Sequence, residues 1–178
     1  NLAVKYNITR QEQDELAVMS HQRAIAAIDA GRFEADIVPV PVKVKKAIVE
    51  FKVDEHPRRD ISMESMSKLK PVFKPDGGTV TAANASGIND AACAMVVTTG
   101  KYCKEHGLTP VARILNTASY GVPAEIMGIG PAYVIPKALE EVGLSKDAID
   151  YWEINEAFAA QFLACNRELK LDMAKVNR

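Results

Sequence analysis

The spacing of apolar and polar residues predicts one long helix in the first part of the chain. Thr9 and Glu12 form a capping box, in which a hydroxyl and a carboxylate satisfy the free amides of a helix start. Between residues 16 and 28, small apolar side chains recur every three or four positions and give the helix one face rich in alanine. Gly31 supplies the left-handed residue that ends it. We expect another part of the chain to approach this face closely.

The segment that follows is extended and irregular. Residues 37–42 are β-branched but interrupted by prolines, which is typical of an edge strand or an extended segment. Residues 44–53 alternate only loosely, as in an exposed hairpin arm. Residues 54–74 are charged and rich in turn-forming residues, as in a solvated loop. This first part of the chain is interpreted as an irregular α/β subdomain inserted into a larger structure.

From Gly77 onward the pattern changes to alternating strands and helices. Apolar stretches predict strands at residues 79–82, 91–97, 111–118 and 149–154. Helices are predicted in the segment that ends at Gly107 and over residues 131–142 and 156–169. Such alternation is typical of a layered α/β fold.

Composition narrows the possible functions only slightly. The chain has 178 residues and a formal net charge of −1, so no overall field attracts nucleic acid. No apolar run has the length of a membrane span and no signal peptide is visible, so a membrane is not expected as a partner. The three cysteines form no CxxC pair and no disulfide framework. Reduced thiols favour the cytoplasm or an organelle matrix, and we expect the cytoplasm.

The most informative junction is the one between the last predicted strand and the last predicted helix. Asn155 lies at the carboxyl end of the strand, where α/β folds bind ligands and where helix amides favour negative charge. An asparagine here can hold a water or donate to an oxyanion. It can also simply cap the helix, which is the more frequent role of asparagine at a helix start. The pattern leaves both roles open.

A second polar stretch, residues 84–90, separates two predicted strands. Its small residues let a ligand approach the backbone and Ser86 offers a hydroxyl, but the same pattern is typical of a tight turn. Cys103 and His106 could meet on a helix as nucleophile and base, although a buried thiol beside a helix-end histidine is the commoner arrangement. The other histidines lack the spacing of metal ligands, so no metal site is expected.

Five segments, taken in order, resemble the motifs of one enzyme family. Residues 155–159 resemble the NEAFA block of thiolases. Residues 6–14 resemble the start of the thiolase loop domain, and residues 65–73 its KLRPAF segment. Residues 79–90 resemble TVTAGNASGxNDGA, and residues 127–131 resemble the MGxGP turn. The likeness to thiolases covers essentially the whole chain.

The resemblance implies the thiolase-like αβαβα layered sandwich, an α/β fold with a loop domain inserted in its first half. Residues 1–77 would belong to the loop domain. Residues 78–108 would end the amino-terminal half, and residues 109–178 would begin the carboxy-terminal half. The inserted subdomain inferred above from the apolar pattern agrees with this division.

The resemblance also implies an acyltransferase of the acetyl-CoA C-acetyltransferase type, which condenses two acetyl-CoA to acetoacetyl-CoA or runs the reverse thiolysis. The acyl group passes through a cysteine thiolate in a ping-pong mechanism. Acyl-CoA thioesters are the substrates, no cofactor is expected, and the enzyme would be a homo-oligomer, either dimer or tetramer. A degradative 3-ketoacyl-CoA thiolase with longer substrates and a non-catalytic CoA-binding protein are the alternatives.

Residue by residue, the likeness places several side chains near the reacting thioester. Asn155 matches the family asparagine that holds a water in an oxyanion hole. Met127 and Phe158 match residues that line the acyl and pantetheine end of the substrate tunnel.

The likeness also assigns residues to the rest of CoA. Ser86 matches the serine that hydrogen-bonds pantetheine, and Ala82 lies beside it. Arg58 and Ser65 match residues near the adenine nucleotide, where a guanidinium suits a phosphate or stacks on adenine.

Three elements of the family are missing from the sequence. The nucleophilic cysteine of thiolases would precede Asn1, while the GHP histidine and the second cysteine would follow Arg178. None of the three cysteines present occupies a family motif. We therefore expect a partial chain that has no thiolase activity in isolation.

Overall fold

The computed structural model describes residues 1–178. Six α-helices and two strands form the regular structure. The helices are α1 (Leu2–Lys5), α2 (Arg10–Asp29), α3 (Met63–Ser67), α4 (Gly100–Glu105), α5 (Gly130–Glu140) and α6 (Ala159–Leu169), and the strands are β1 (Val40–Val44) and β2 (Ala47–Phe51). Short 3-10 turns lie at Ala124–Ile129, Lys146–Ala148 and Met173–Lys175. No helix has both the length and the apolar character needed to cross a bilayer.

The predicted capping box at the start of α2 is confirmed. The Thr9 hydroxyl accepts from the backbone amide of Glu12 at 3.2 Å, and the Glu12 carboxylate accepts from the Thr9 amide at 2.7 Å. Gly31, two residues after the helix end, has φ +68°, a conformation that glycine adopts without strain. The local signals that begin and end α2 therefore act as the sequence predicts.

The hydrophobic core is built around α6. Phe162, Ala164 and Cys165 of this helix are almost completely buried, and α6 contacts α1, α2 and α5. Leu16 and Ala17, on the small-residue face of α2, are also buried. The close approach expected for this face is therefore made by α6.

The hairpin of β1 and β2 projects away from this core. The strands pair antiparallel with Val42 opposite Val49, and all ten of their residues are exposed. Lys45 turns the chain with φ +57°. The exposed hairpin arm expected from the loose alternation is present, although it is shorter than the predicted segments.

The four strands predicted after Gly77 do not form ladders. Their residues lie in irregular segments whose backbone contacts with other segments are isolated: the Val72 amide donates to the Val80 carbonyl, and Trp152 forms a single bridge with Val176. A strand exists through hydrogen bonds to a neighbouring strand, and these segments find none within the chain. Many of their apolar side chains are open to solvent, with Val96 90% exposed, whereas Trp152 and Ile154 are buried in the core.

The helix bounds after Gly77 also differ from those predicted. The helix that ends at Gly107 is only α4, the predicted helix over 131–142 ends two residues earlier as α5, and the predicted helix over 156–169 begins only at Ala159. The late start of α6 arises because the amide of Ala159 donates to the carbonyl of Asn84 at 2.9 Å, which fixes the first turn against another segment.

A buried hydrogen-bond network centred on Asn84 joins α2 to the turn over 79–86. The Asn84 side chain is 3% exposed. Its oxygen accepts from the Thr81 amide at 2.8 Å, and its nitrogen donates to the Asp14 carboxylate at 2.9 Å and to the Thr79 carbonyl at 3.0 Å. Both the oxygen and the nitrogen of the side-chain amide are therefore hydrogen-bonded within the chain.

Arg10 extends this network to α3. Its guanidinium pairs with Asp14 at 2.8 Å and donates to the carbonyls of Met66 and Leu69 at 2.7 and 3.1 Å. The buried Asp14 carboxylate thereby has a cation on one side and an amide on the other, which offsets the cost of burying its charge.

Replacing Asn84 by alanine should destabilise the full-length gene product by about 2–3 kcal/mol, because the buried Asp14 carboxylate and the Thr81 amide each lose a partner. Urea unfolding measures the change. Asn89→Ala, at an exposed position of the same stretch, is the matched control and should have little effect. Equal stability of the two variants would contradict the role given to Asn84.

The isolated 178-residue chain should self-associate, because only 23 of its residues are buried and several long apolar side chains face solvent. Sedimentation velocity over a range of concentrations measures this. Replacing the exposed residues Met95, Val96 and Val97 by serine should increase the monomer fraction. A wild-type chain that is monomeric and melts cooperatively would contradict the expectation.

Candidate functional site

An open cavity of about 770 Å³ lies beside the start of α6. Its walls come from α1, from residues 73–80, from the 3-10 turn before α5 and from residues 155–161. The lining is mainly apolar. Three of the residues singled out from the sequence line it together: Met127, Asn155 and Phe158.

Asn155 is exposed at this cavity and does not cap a helix. The residue that precedes α6 in the capping position is Phe158, three residues later, and it has no side-chain cap. The capping role that the sequence left open for Asn155 is therefore wrong. Its side chain has no hydrogen-bond partner in the chain, which leaves an amide donor and an amide acceptor available at the cavity.

The residues on either side of Asn155 are held firmly by Asn177. The Asn177 side chain accepts from the amide of Ile154 at 2.9 Å and donates to its carbonyl and to the Glu156 carboxylate, both at 2.8 Å. Trp152 adds two backbone hydrogen bonds to residues 175 and 177. The free amide of Asn155 is thus presented from a fixed backbone, which is what an oxyanion or water site requires.

Gly128 brings the Met127 turn close to α6. A Cβ atom at Gly128 would lie 2.7 Å from Cγ of Gln161, so only glycine fits between the turn and the helix. The Gly128 carbonyl also accepts from the Cys165 thiol at 3.3 Å. Met127 is consequently placed over the cavity, with 73% of its surface exposed.

A smaller cavity of about 180 Å³ lies between α2 and the turn over 83–86. Ser86 lines it, together with His21, His56 and Glu156. The amide of Ser86 donates to the Ala157 carbonyl at 2.9 Å. The polar stretch 84–90 and the junction that follows Asn155, which the sequence indicated separately as candidate sites, are therefore adjacent.

Arg58, Ser65 and Ala82 line neither cavity. Arg58 is exposed, with its guanidinium 3.8 Å from the Asp60 carboxylate. The Ser65 hydroxyl is engaged in the capping box of α3, where it accepts from the Ser62 amide at 3.0 Å and donates to the Ser62 carbonyl at 2.9 Å. Ala82 is exposed next to the buried Thr81.

Three polar residues that line the smaller cavity, Ser20, His21 and Glu156, were not predicted to be site residues. The Glu156 carboxylate accepts from the Ser20 hydroxyl as well as from Asn177. The ring nitrogen Nδ1 of His21 accepts from the Arg58 amide at 3.0 Å. Burial lowers the pKa of His21, the charges of His56 and Arg58 lower it further, and the Glu156 carboxylate opposes them. Ser20 and His21 belong to one turn of α2, but only the tertiary fold shows what they face.

None of the three cysteines lines either cavity. Cys165 is fully buried in the core, and burial raises the pKa of its thiol, which disfavours the reactive thiolate. Cys103 is buried in α4, and Cys93 is exposed in an extended segment. Within the chain, the larger cavity can accommodate an acyl chain and polarise a carbonyl through Asn155, but no thiol of the chain reaches it.

The chain matches two family models along nearly its whole length. Residues 1–101 match the thiolase amino-terminal domain, and residues 108–178 match the thiolase carboxy-terminal domain. It is 49% identical over 177 residues to beta-ketothiolase BktB of Cupriavidus necator, covering 99% of this chain and 45% of that protein. It is also 49% identical over 177 residues to the mitochondrial 3-ketoacyl-CoA thiolase of Pongo abelii, covering 99% of this chain and 44% of that protein.

A solved structure agrees with the sequence comparisons. The crystal structure of the Bacillus anthracis acetyl-CoA acetyltransferase superimposes with a TM-score of 0.96 at 51% identity, covering 99% of this chain and 45% of that one. The chain thus spans slightly less than half the length of these relatives. The α/β thiolase fold expected from the motifs is confirmed, and the chain belongs to the thiolase family.

Proposed function

We propose that the full-length protein is an acetyl-CoA acetyltransferase, which joins two acetyl-CoA to acetoacetyl-CoA or catalyses the reverse thiolysis. The observation that carries this proposal is the unpaired amide of Asn155 at the edge of an apolar cavity lined by Met127 and Phe158. An apolar cavity with one convergent polar group suits a short acyl thioester. The names of the relatives, which include a beta-ketothiolase and an acetyl-CoA acetyltransferase, support the same chemistry.

The proposed reaction has two covalent steps. A cysteine thiolate supplied from outside this chain attacks the thioester carbonyl, and the CoA thiolate leaves and takes up a proton. A second acetyl-CoA then loses a proton from its methyl carbon and attacks the acyl-cysteine, so that a C–C bond forms and the cysteine thiolate departs. Asn155 donates, directly or through a water, to the thioester oxygen that becomes negative in the transition state. The condensation uses acyl-CoA thioesters as its substrates, and the reverse thiolysis also needs free CoA.

CoA would extend from the larger cavity across the turn at Ser86. The Ser86 hydroxyl is exposed at the smaller cavity and would bond the pantetheine, next to Ala82. The exposed guanidinium of Arg58 would meet the nucleotide phosphates, for which its planar donors are suited. Ser65 would lie near the same nucleotide while its hydroxyl caps α3.

A degradative thiolase that acts on longer 3-ketoacyl-CoA is the second candidate. The mitochondrial 3-ketoacyl-CoA thiolase is as similar in sequence as the beta-ketothiolase. The length of acyl chain accepted depends on Met127, because this side chain lies over the cavity and would close the acyl end of the tunnel.

The proposal includes a homo-oligomer in the cytoplasm. The register of the β1–β2 hairpin places most of its exposed apolar side chains on one face, and covering such a surface is a common reason for association. The three unpaired cysteines suit a reducing compartment.

Asn155→Ala in the full-length gene product should lower kcat by about 10²-fold or more while changing KM little, because the lost donor acts mainly on the transition state. Steady-state thiolysis of acetoacetyl-CoA measures this. Glu153→Gln, at an exposed position two residues earlier, is the control and should keep wild-type turnover. Unchanged turnover of Asn155→Ala would rule out the proposed role.

The wild-type protein should prefer acetoacetyl-CoA to 3-ketodecanoyl-CoA, and Met127→Ala should raise the relative kcat/KM for the longer substrate about tenfold. The physical reason is the space vacated by the methionine side chain at the acyl end. Assaying both substrates with both proteins checks this. A wild-type preference for the longer chain would favour the degradative thiolase.

A further inference from the structure

We propose that His21 and His56 are positioning residues that hold Arg58 at a fixed place relative to Ser86. This inference rests on the proposed function, in which Arg58 meets the CoA nucleotide and Ser86 meets the pantetheine. The two histidines would thereby set the distance between the two ends of the CoA site. Neither histidine needs to touch the substrate.

The first observation is the hydrogen bond between His21 and the backbone of the Arg58 loop. Nδ1 of His21 accepts from the Arg58 amide at 3.0 Å. His21 lies on the long helix α2, whose position is fixed by the core and by the Asn84 network. The bond therefore anchors the backbone of Arg58 to a rigid element while its guanidinium remains exposed.

The second observation is the placement of His56. Its ring stacks on that of His21, with centroids 5.8 Å apart and an interplanar angle of 22°. The same ring lies directly against Gly87, where an added Cβ atom would be only 3.0 Å from Cε1 and Nδ1 of His56. His56 is thus held between α2 and the residue that follows Ser86.

Together these contacts form a short chain of neighbours from Ser86 to Arg58. Gly87 packs on His56, His56 stacks on His21, and His21 bonds the Arg58 backbone. A second attachment of the loop, the ion pair between Arg59 and Asp29, is solvent-exposed on both sides and is worth less in water. The histidine contact is made to the Arg58 amide itself, so it bears directly on where the Arg58 backbone lies.

The protonation state of His21 decides whether this anchor exists. An acceptor at Nδ1 requires that this nitrogen carry no proton. The charged or titratable groups that face His21 are His56, Arg58 and Glu156. Burial is the main cause that lowers the pKa of His21, so the ring is neutral and the anchor intact at neutral pH.

The test compares acetyl-CoA with acetyl-pantetheine, which lacks the nucleotide, as substrates of the full-length gene product. The readout is kcat/KM for acetyl-CoA divided by kcat/KM for acetyl-pantetheine. Arg58→Ala should lower this ratio, and His21→Ala should lower it about tenfold, because a misplaced guanidinium loses its charge-assisted bonds to phosphate. His21→Asn should restore the ratio, since the amide oxygen of asparagine can accept where Nδ1 does. His106 is an exposed histidine at the end of α4, and His106→Ala is the control, which should leave the ratio unchanged.

The outcomes distinguish a failure of the positioning role of His21 from a failure of the proposed function. A ratio that His21→Ala leaves unchanged, in a protein where Arg58→Ala lowers it, would overturn the inference and leave the proposed function standing. Equal losses on both substrates in His21→Ala would also overturn it, because a general structural defect does not discriminate between them. A wild-type protein without turnover of either substrate would contradict the proposed function itself.

The pH dependence gives a second readout. In the wild type, KM for acetyl-CoA should rise as the pH falls through the lowered pKa of His21, because the protonated ring can no longer accept and repels Arg58. His21→Asn should lack this rise, and acetyl-pantetheine should show none with either protein. The same rise in His21→Asn would contradict a role for His21 protonation.

Discussion

The buried hydrogen bond from Asn84 to Asp14 is the contact on which the arrangement of this chain depends. A carboxylate out of contact with water is costly unless its oxygens are occupied, and Asp14 has Asn84 on one oxygen and Arg10 on the other. Through these two partners, Asp14 of α2 is linked to the turn over 79–86 and to the backbone carbonyls of Met66 and Leu69. The carbonyl of Asn84 in turn binds the first amide of α6. Elements distant in sequence therefore meet at one buried polar centre.

Both cavities border the segments that this centre brings together. On one side, α6 and the Gly128 turn present Asn155, Met127 and Phe158 to an apolar space. On the other side, Ser86 lies beside the histidines of α2 and of the Arg58 loop. A CoA thioester that crossed the turn at Ser86 would have its acyl end in the first cavity and its nucleotide near the second. Stability and the proposed binding geometry thus share the same contacts.

Local signals in the sequence predicted the longer helices better than the strands, although the short helix α3 lies in a segment that was predicted to be a loop. The capping box of Thr9 and Glu12 acts between near neighbours, so four residues suffice to predict it. The apolar stretches 91–97 and 111–118 have strand composition, but a strand also needs a partner, and the chain provides none. The start of α6 was misplaced because the carbonyl that fixes it belongs to Asn84, 75 residues away in sequence.

The motifs also identified the residues of the larger cavity better than those around the Arg58 loop. Asn155, Met127 and Phe158 come from two short motifs packed on one helix, and they meet as expected. The contact of His21 with the Arg58 backbone joins positions with no recognisable spacing and could be seen only in three dimensions.

The most direct test is a crystal structure of the full-length protein with bound acetyl-CoA. We expect the Asn155 amide to lie within hydrogen-bond distance of the thioester oxygen or of a water bound to it. An Asn155 side chain bonded to protein and turned away from the acyl group would contradict it.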